Sequence, residues 1–256
     1  YKQAGVIAAA KHFPGRGDSA TDAHHACPTL DVSLDRLHAV ELLPYKRMIA
    51  AGLDSIMIAH CIYPQIDPDH ISTVSRKVVT GLLREELGFE GLITSDSITM
   101  GALIDRYGIG EACARALEAG IDTILMKAEN HWRGEMFYTI GKWVEDGRLD
   151  EKELDDKVRR ILRAKMNIGL FENNGEVDAS AAAAPYKDPI IIETSKVAAQ
   201  NAILVPKDDL GALPLDRNKK VLLINQQNSI KSPQDMWDHP ALFSHLMEED
   251  WPTLQT

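Results

Sequence analysis

Four short apolar runs constrain this chain more than anything else in it: GVIAAAKHF (residues 5–13), LDSIMIAH (53–60), GLITSD (91–96) and DTILMK (122–127). Each carries ionisable residues at or beside its end, and a loop and an amphipathic helical stretch lead from one to the next. None alternates polar with apolar residues, as a strand wetted on one face does. All four are apolar on both faces, the pattern of parallel strands covered by helices. The repeat predicts βα units and a parallel sheet, with the first strand starting at Gly5.

The helical stretches carry recognisable ends. Ser75 precedes RKVVTGLLREEL with Gly88 just past it, Gly120 closes a helix beginning near Gly110, and Asp150 with Glu153 forms a capping-box-like start to a helix through Asn167. Pro44 interrupts the helical pattern between Leu34 and Ala51, so that segment is either kinked there or made of two pieces. After Asp96 no strong helical period begins for about ten residues.

Beyond Phe171 the pattern stops. Residues 173–187 read as a linker of small and polar residues without an apolar period. A second unit, 188–256, follows: Asp188 and Pro189 suit the cap and first turn of a helix to about Asn201, and AILVP (202–206) and KVLLIN (220–225) read as strands.

The charge balance excludes some partners. There are 28 Lys and Arg against 38 Asp and Glu, a net charge of −10, with no basic block, so no nucleic-acid partner is expected. No apolar run approaches the ~20 residues of a membrane-spanning helix, so no membrane partner is expected either. The first residues lack the basic region and cleavage site of a signal peptide. Cys27, Cys61 and Cys113 lie far apart in no ligand spacing and are odd in number, which argues against a disulfide framework and favours a reducing compartment.

In parallel βα architecture, functional residues sit at the C-terminal ends of strands, where the loops converge. Here those ends carry Lys11 and His12, His60, Asp96 and Lys127. The first loop is the densest, with Lys11, His12, Arg16, Asp18, Asp22, His24 and His25 within KHFPGRGDSATDAHH, and Gly15 and Gly17 allow close approach of backbone to a ligand. Asp22 and His24 are one residue apart. In an extended segment both side chains lie on one side, where the carboxylate raises the proton affinity of the imidazole and makes a tuned acid/base. His25 reads as a solvated neighbour, His60 equally as a buried satisfied histidine or a site residue, Lys127 as rim or structure, and Met100 as core or pocket lining.

KHFPGRGDSATDAH with SDSITM downstream resembles the NagZ-type bacterial β-N-acetylglucosaminidases of glycoside hydrolase family 3. AGLDSIMIAH, LREELGFEGLITSD, GRLDEKELDDKVRRILRAKMNIGLF and AAQNAILVPKDDLGALPL are similar to the same family in the same order, over roughly residues 5 to 225. The resemblance implies a retaining exo-glycosidase without metal or organic cofactor, acting on a carbohydrate substrate. It implies Asp96 as nucleophile, His24 as general acid/base with Asp22 as its partner, and Lys11 and His12 as binders of sugar hydroxyls; Arg16, Asp18 and Met100 complete the expected substrate-binding set. Arg16 stands where many relatives have His, Ser19 where Thr is frequent, and Ala23 where Ser is usual.

The expected fold is therefore α/β: the C-terminal part of a (β/α)8 TIM-type barrel over residues 1–172, then the start of an α/β sandwich domain. A whole barrel takes ~250 residues, and four strands cannot close one, so the chain reads as lacking the N-terminal half of its own barrel. Three alternatives stay open: a β-glucosidase or phosphorylase of the same family, a metal-dependent hydrolase using His12, His60 and Asp96 as ligands, or an inactive barrel fragment.

Overall fold

The computed structural model describes residues 1, 4–17, 19, 27–127, 130–172, 175–205, 208–209, 211 and 213–216. The chain divides into two compact units, Tyr1–Val177 and Asp178–Thr256. The first is built on a four-stranded parallel sheet in the order β1 (Ala9–Phe13), β2 (Ser55–Ile58), β3 (Leu92–Ser97) and β4 (Thr123–Leu125). All four predicted strands are present, in sequence order, as successive βα units require.

Two details differ from the expectation. The first strand begins at Ala9 rather than Gly5, because the Tyr1 carbonyl accepts the N–H groups of Ala4 (2.8 Å) and Val6 (3.2 Å) in a turn with Gly5 at φ +70°. Burial on both faces holds for β2, where Ile56 and Ile58 are fully buried on one face and Ser55 is buried on the other. β1 and β4, each paired on one side only among the described residues, alternate in exposure instead.

Helices cover the sheet. α1 (Leu34–Arg36), capped by Ser33, runs into a π-helical turn over Leu37–Glu41, and α2 (Leu43–Ala50) follows with Pro44 in its first turn. The segment is thus made of two pieces, with proline placed where its missing N–H costs least. Ser75 Oγ accepts the Val78 N–H (3.3 Å) ahead of Lys77–Glu86, a helix wound with π-type hydrogen bonds, after which Gly88 turns the chain at φ +65°. α3 (Gly101–Tyr107) starts earlier after Asp96 than its weak period suggests, and Met100, not Asp96, occupies its N-cap. α4 (Ile109–Ala119) ends at left-handed Gly120, and α5 (Asn130–Glu145) packs against it. α6 (Glu151–Asn167) is capped by Asp150, which accepts the Lys152 N–H at 3.0 Å; Glu153 accepts from Arg76 at 3.1 Å rather than closing a capping box.

Apart from a smaller cluster that joins Ala114 and Leu117 to Trp143 and Leu149, the core is a main cluster running from Phe13, Leu37 and Tyr45 through Ile56, Leu83 and Ile93 to Leu103, Cys113 and Ile121. Beneath it, the fully buried carboxylate of Asp122 binds Arg84 and Arg160 (2.8 Å) and accepts the Ile93 N–H (2.8 Å). One carboxylate thereby ties β3, the π-helix and α6 together.

In the second unit, Asp188 accepts the Ile190 N–H (2.8 Å) and caps α7 (Pro189–Asn201), as its sequence suggests. Ile203–Val205 join no strand, in contrast to the expectation for AILVP; no described strand of that unit offers them ladder partners. KVLLIN lies outside the described residues.

Candidate active site

The C-terminal ends of the parallel strands bring the site residues to one end of the sheet. β1 delivers Lys11 and His12, and its pairing with β2 slips by one residue there: Lys11 lies opposite Met57 and Phe13 opposite Ile58, leaving His12 as the extra residue of a bulge. Bulges redirect side chains at strand ends. Lys11 and His12 both line a cavity of about 450 Å³, with Gly15, Arg16, Glu41 and Tyr45 on its other walls.

Asp96 is the penultimate residue of β3. Its Oδ2 lies 3.3 Å from His12 Nε2, and its Oδ1 accepts the N–H of Ser97 at 2.7 Å. The hydrogen bond from His12 is the main reason that the Asp96 carboxyl is held well below the usual carboxylate range; partial burial opposes this, and the Ser97 N–H reinforces it. At neutral pH the group is a carboxylate with one edge fixed by the backbone and the other by an imidazole.

His60, two residues past β2, is 1% exposed. Its Nε2 lies 3.0 Å from the Ser97 carbonyl and its Nδ1 lies 2.6 Å from Thr73 Oγ1. Burial lowers its proton affinity, so the ring is neutral. A carbonyl only accepts, so the single ring proton sits on Nε2 and Nδ1 accepts from Thr73. Both ring nitrogens are thus engaged within the protein, which removes His60 from the donor set of the metal-hydrolase alternative. Among the described residues, no group of three His, Cys, Asp or Glu side chains is placed to hold a metal.

The loop after β1 is anchored on the helical segment that follows it and on the segment after β2. Tyr63 Oη donates to the Gly15 carbonyl at 2.7 Å, and the Phe13 and Tyr45 rings meet edge to face at 5.1 Å. Gly15, at φ +125°, sits so close to Glu41 that a Cβ there would lie 2.8 Å from the Glu41 Cβ. Glu41 is buried and bound to Arg36 Nη2 at 2.9 Å, while its second oxygen has no hydrogen-bond partner among the described residues. Arg16 lies near enough to Cys61, Tyr63 and His60 to act on all three electrostatically. Met100 is buried at the start of α3, and Lys127 is exposed two residues past β4. Asp18, Asp22, His24 and His25 lie outside the described residues.

Sequence reasoning singled out Lys11, His12, His60 and Asp96 but missed Thr73, Glu41 and Tyr63, which hold them or their loop. Thr73 and Tyr63 carry no motif of their own. Glu41, a lone acidic residue between Val40 and Leu42 in a helical stretch, offered the one available signal.

Residues 1–164 match the family model described as the glycosyl hydrolase family 3 N terminal domain, so the chain belongs to glycoside hydrolase family 3. It is similar to a β-N-acetylglucosaminidase/β-glucosidase of Cellulomonas fimi, 31% identical over 236 residues that make up 88% of this chain and 41% of that protein. It is also similar to a β-hexosaminidase of Stenotrophomonas maltophilia strain K279a, 40% identical over 122 residues, 48% of this chain and 36% of the relative. Among solved structures, a family 3 β-N-acetylglucosaminidase from Paenibacillus sp. FPU-7 superposes with a TM-score of 0.74 at 34% identity, covering 86% of this chain and 42% of that one. The chain thus spans about two fifths of the length of these relatives. The parallel α/β fold is that of the TIM-type catalytic domain of the family, of which these four βα units form a part.

Proposed function

We propose that this chain carries the nucleophile of a retaining exo-glycosidase that releases terminal β-linked N-acetylglucosamine, from peptidoglycan fragments or related glycans. The observation that carries the reading is the Asp96 carboxylate, ionised and oriented at a strand's C-terminal end by His12 and the Ser97 N–H. The names of the relatives from Cellulomonas, Stenotrophomonas and Paenibacillus support the sugar. In this reading residues 1–172 supply the catalytic barrel segment, 173–187 a linker and 188–256 the start of a sandwich domain.

The chemistry is a double displacement. Asp96 attacks the anomeric carbon while the glycosidic C–O bond breaks and His24, held by Asp22, gives its proton to the leaving oxygen. His24, now neutral, takes a proton from water, whose oxygen displaces Asp96 and regenerates the carboxylate and the imidazolium. Lys11 and His12 hold sugar hydroxyls, and Arg16, Asp18 and Met100 complete the subsite. Neutral His24 beside the glycosyl ester would not repel an anionic acceptor, which leaves phosphorolysis as the variant to compare.

In the full-length protein, a slow fluorosugar substrate is expected to label Asp96, and Asp96→Ala to abolish turnover. A label on another residue overturns the assignment. Rates on aryl N-acetylglucosaminides and aryl glucosides separate the proposed sugar from the glucoside that also appears in the Cellulomonas relative's name.

A further inference from the structure

The end of β2 holds a group of buried polar side chains that neither the sheet nor the proposed chemistry explains. His60, Ser72 and Thr73 are each no more than 1% exposed. Ser72 Oγ and Thr73 Oγ1 (2.9 Å) both lie within hydrogen-bonding reach of the Ala59 carbonyl, and Ser72 Oγ also accepts the Cys61 N–H at 3.4 Å. An apolar packing would satisfy β2 more cheaply, since each buried polar group is costly unless every partner is in place.

The proton count orders the group. Thr73 has one hydroxyl proton, and His60 Nδ1, being unprotonated, requires it. Ser72 Oγ then serves the Ala59 carbonyl. With Nδ1 filled, the proton on Nε2 is directed at the Ser97 carbonyl, which also accepts the Met100 N–H at 3.1 Å. Ser97 is fixed from its other side as well, because its own N–H is held by Asp96 Oδ1. The Ile98 N–H is bound to the Leu125 carbonyl at 2.8 Å, so the residue after Ser97 has no freedom to compensate.

We infer that His60, set by Thr73, is a positioning residue that holds the Ser97 carbonyl and through it fixes the direction in which Asp96 presents its carboxylate. It touches no substrate in this arrangement. The inference rests on Asp96 being the nucleophile, and it assigns to a buried histidine a role in the first chemical step and not in sugar binding. A displacement of the carboxylate by about 1 Å is enough to slow such a step by roughly 100-fold, whereas a sugar held by Lys11 and His12 would bind as before.

The test uses the full-length protein and the rate at which an activated fluorosugar labels the Asp96 peptide, read by mass spectrometry alongside the steady-state constants. His60→Gln keeps an N–H donor at the reach of Nε2, His60→Leu removes it, and Thr73→Val removes the hydroxyl that orients the ring. Thermal unfolding of each variant reports its folded fraction, to which all rates are normalised. His60→Leu is expected to slow labelling and to lower kcat by roughly 10- to 100-fold with KM unchanged. Thr73→Val should fall in the same direction by less, and His60→Gln should recover most of the rate. Labelling of Asp96 at the wild-type rate in both His60→Leu and Thr73→Val overturns the positioning role and leaves the nucleophile standing. Equal losses in His60→Gln and His60→Leu, or a rise in KM alone, overturn it as well. Labelling of a residue other than Asp96 in the wild-type protein overturns the nucleophile reading, and the inference about His60 with it.

Discussion

His12 Nε2 stands 3.3 Å from Asp96 Oδ2, with both side chains about four fifths shielded from solvent, so two residues 84 positions apart in sequence form one polar contact across the ends of β1 and β3. β2 lies between those strands, and the contact spans it.

Replacing His12 by Ala removes the largest influence that keeps the Asp96 proton affinity low. The Asp96 value should rise, and the acidic limb of the kcat/KM profile should move to higher pH. The sign for stability follows from the depressed folded value. The contribution is fully present above the unfolded carboxylate value of about 3.9 and is lost as pH falls from there through the lower folded value. Urea midpoints of the wild-type and His12→Ala proteins should therefore differ at pH 7, with the difference shrinking only as pH falls below the unfolded value toward the lower folded one. An acidic limb that stays in place counts against the coupling.

Gly15→Ala should disturb the loop after β1. A Cβ at this position would press on Glu41 at 2.8 Å, and the backbone would be held at a φ of +125° that L side chains rarely adopt. The expected cost is about 1–3 kcal/mol in denaturant titration, together with a fall in turnover. Unchanged stability would show that the loop is not seated on Glu41.

Asp122→Ala leaves Arg84 and Arg160 partly buried around an absent carboxylate and frees the Ile93 N–H. Breaking a buried pair by removing one partner costs about 3–5 kcal/mol, so the urea midpoint should fall sharply. The fluorosugar should still label Asp96 in whatever fraction remains folded, because Asp122 lies under the sheet's other end. A variant as stable as the wild type would contradict the role of this carboxylate as a tie.

Cys113 is fully buried on α4, and burial pushes its thiol up to about 12. At pH 8 only about one molecule in 10⁴ carries the thiolate there, the species that alkylates. Iodoacetamide is expected to spare Cys113 in the native protein and to modify it after unfolding, as read from the mass of its peptide. Native alkylation at the rate of a free thiol would place Cys113 outside the core.

The βα rhythm was legible because parallel strands between helices must be apolar on both faces, and because ionisable residues at strand ends have no packing purpose. Helix ends at Ser75, Gly120, Asp150 and Asp188 were legible because capping chemistry is local. The π-type winding of Lys77–Glu86 was not. Its buried Val78, Val79, Leu82 and Leu83 fit one face of either kind of helix over so short a span. α5 escaped notice because Phe137 and Tyr138 are exposed while Trp143 is buried, which blurs the apolar face. The role of His60 was open for a different reason: its partners, Thr73 and Ser97, come from segments 13 and 37 residues away, and only the fold brings them together.

The slipped register of β1 has a consequence for how this sequence tolerates change. In an even strand, neighbours face opposite ways, so Lys11 and His12 would look into different compartments. The extra residue lets two adjacent letters of the sequence serve one cleft. Shortening the strand by a single amino acid would restore the even alternation and send one of the pair away from the cavity. Counting guards this corner of the molecule as well as chemistry does, since the length of β1 decides whether both side chains reach the cavity.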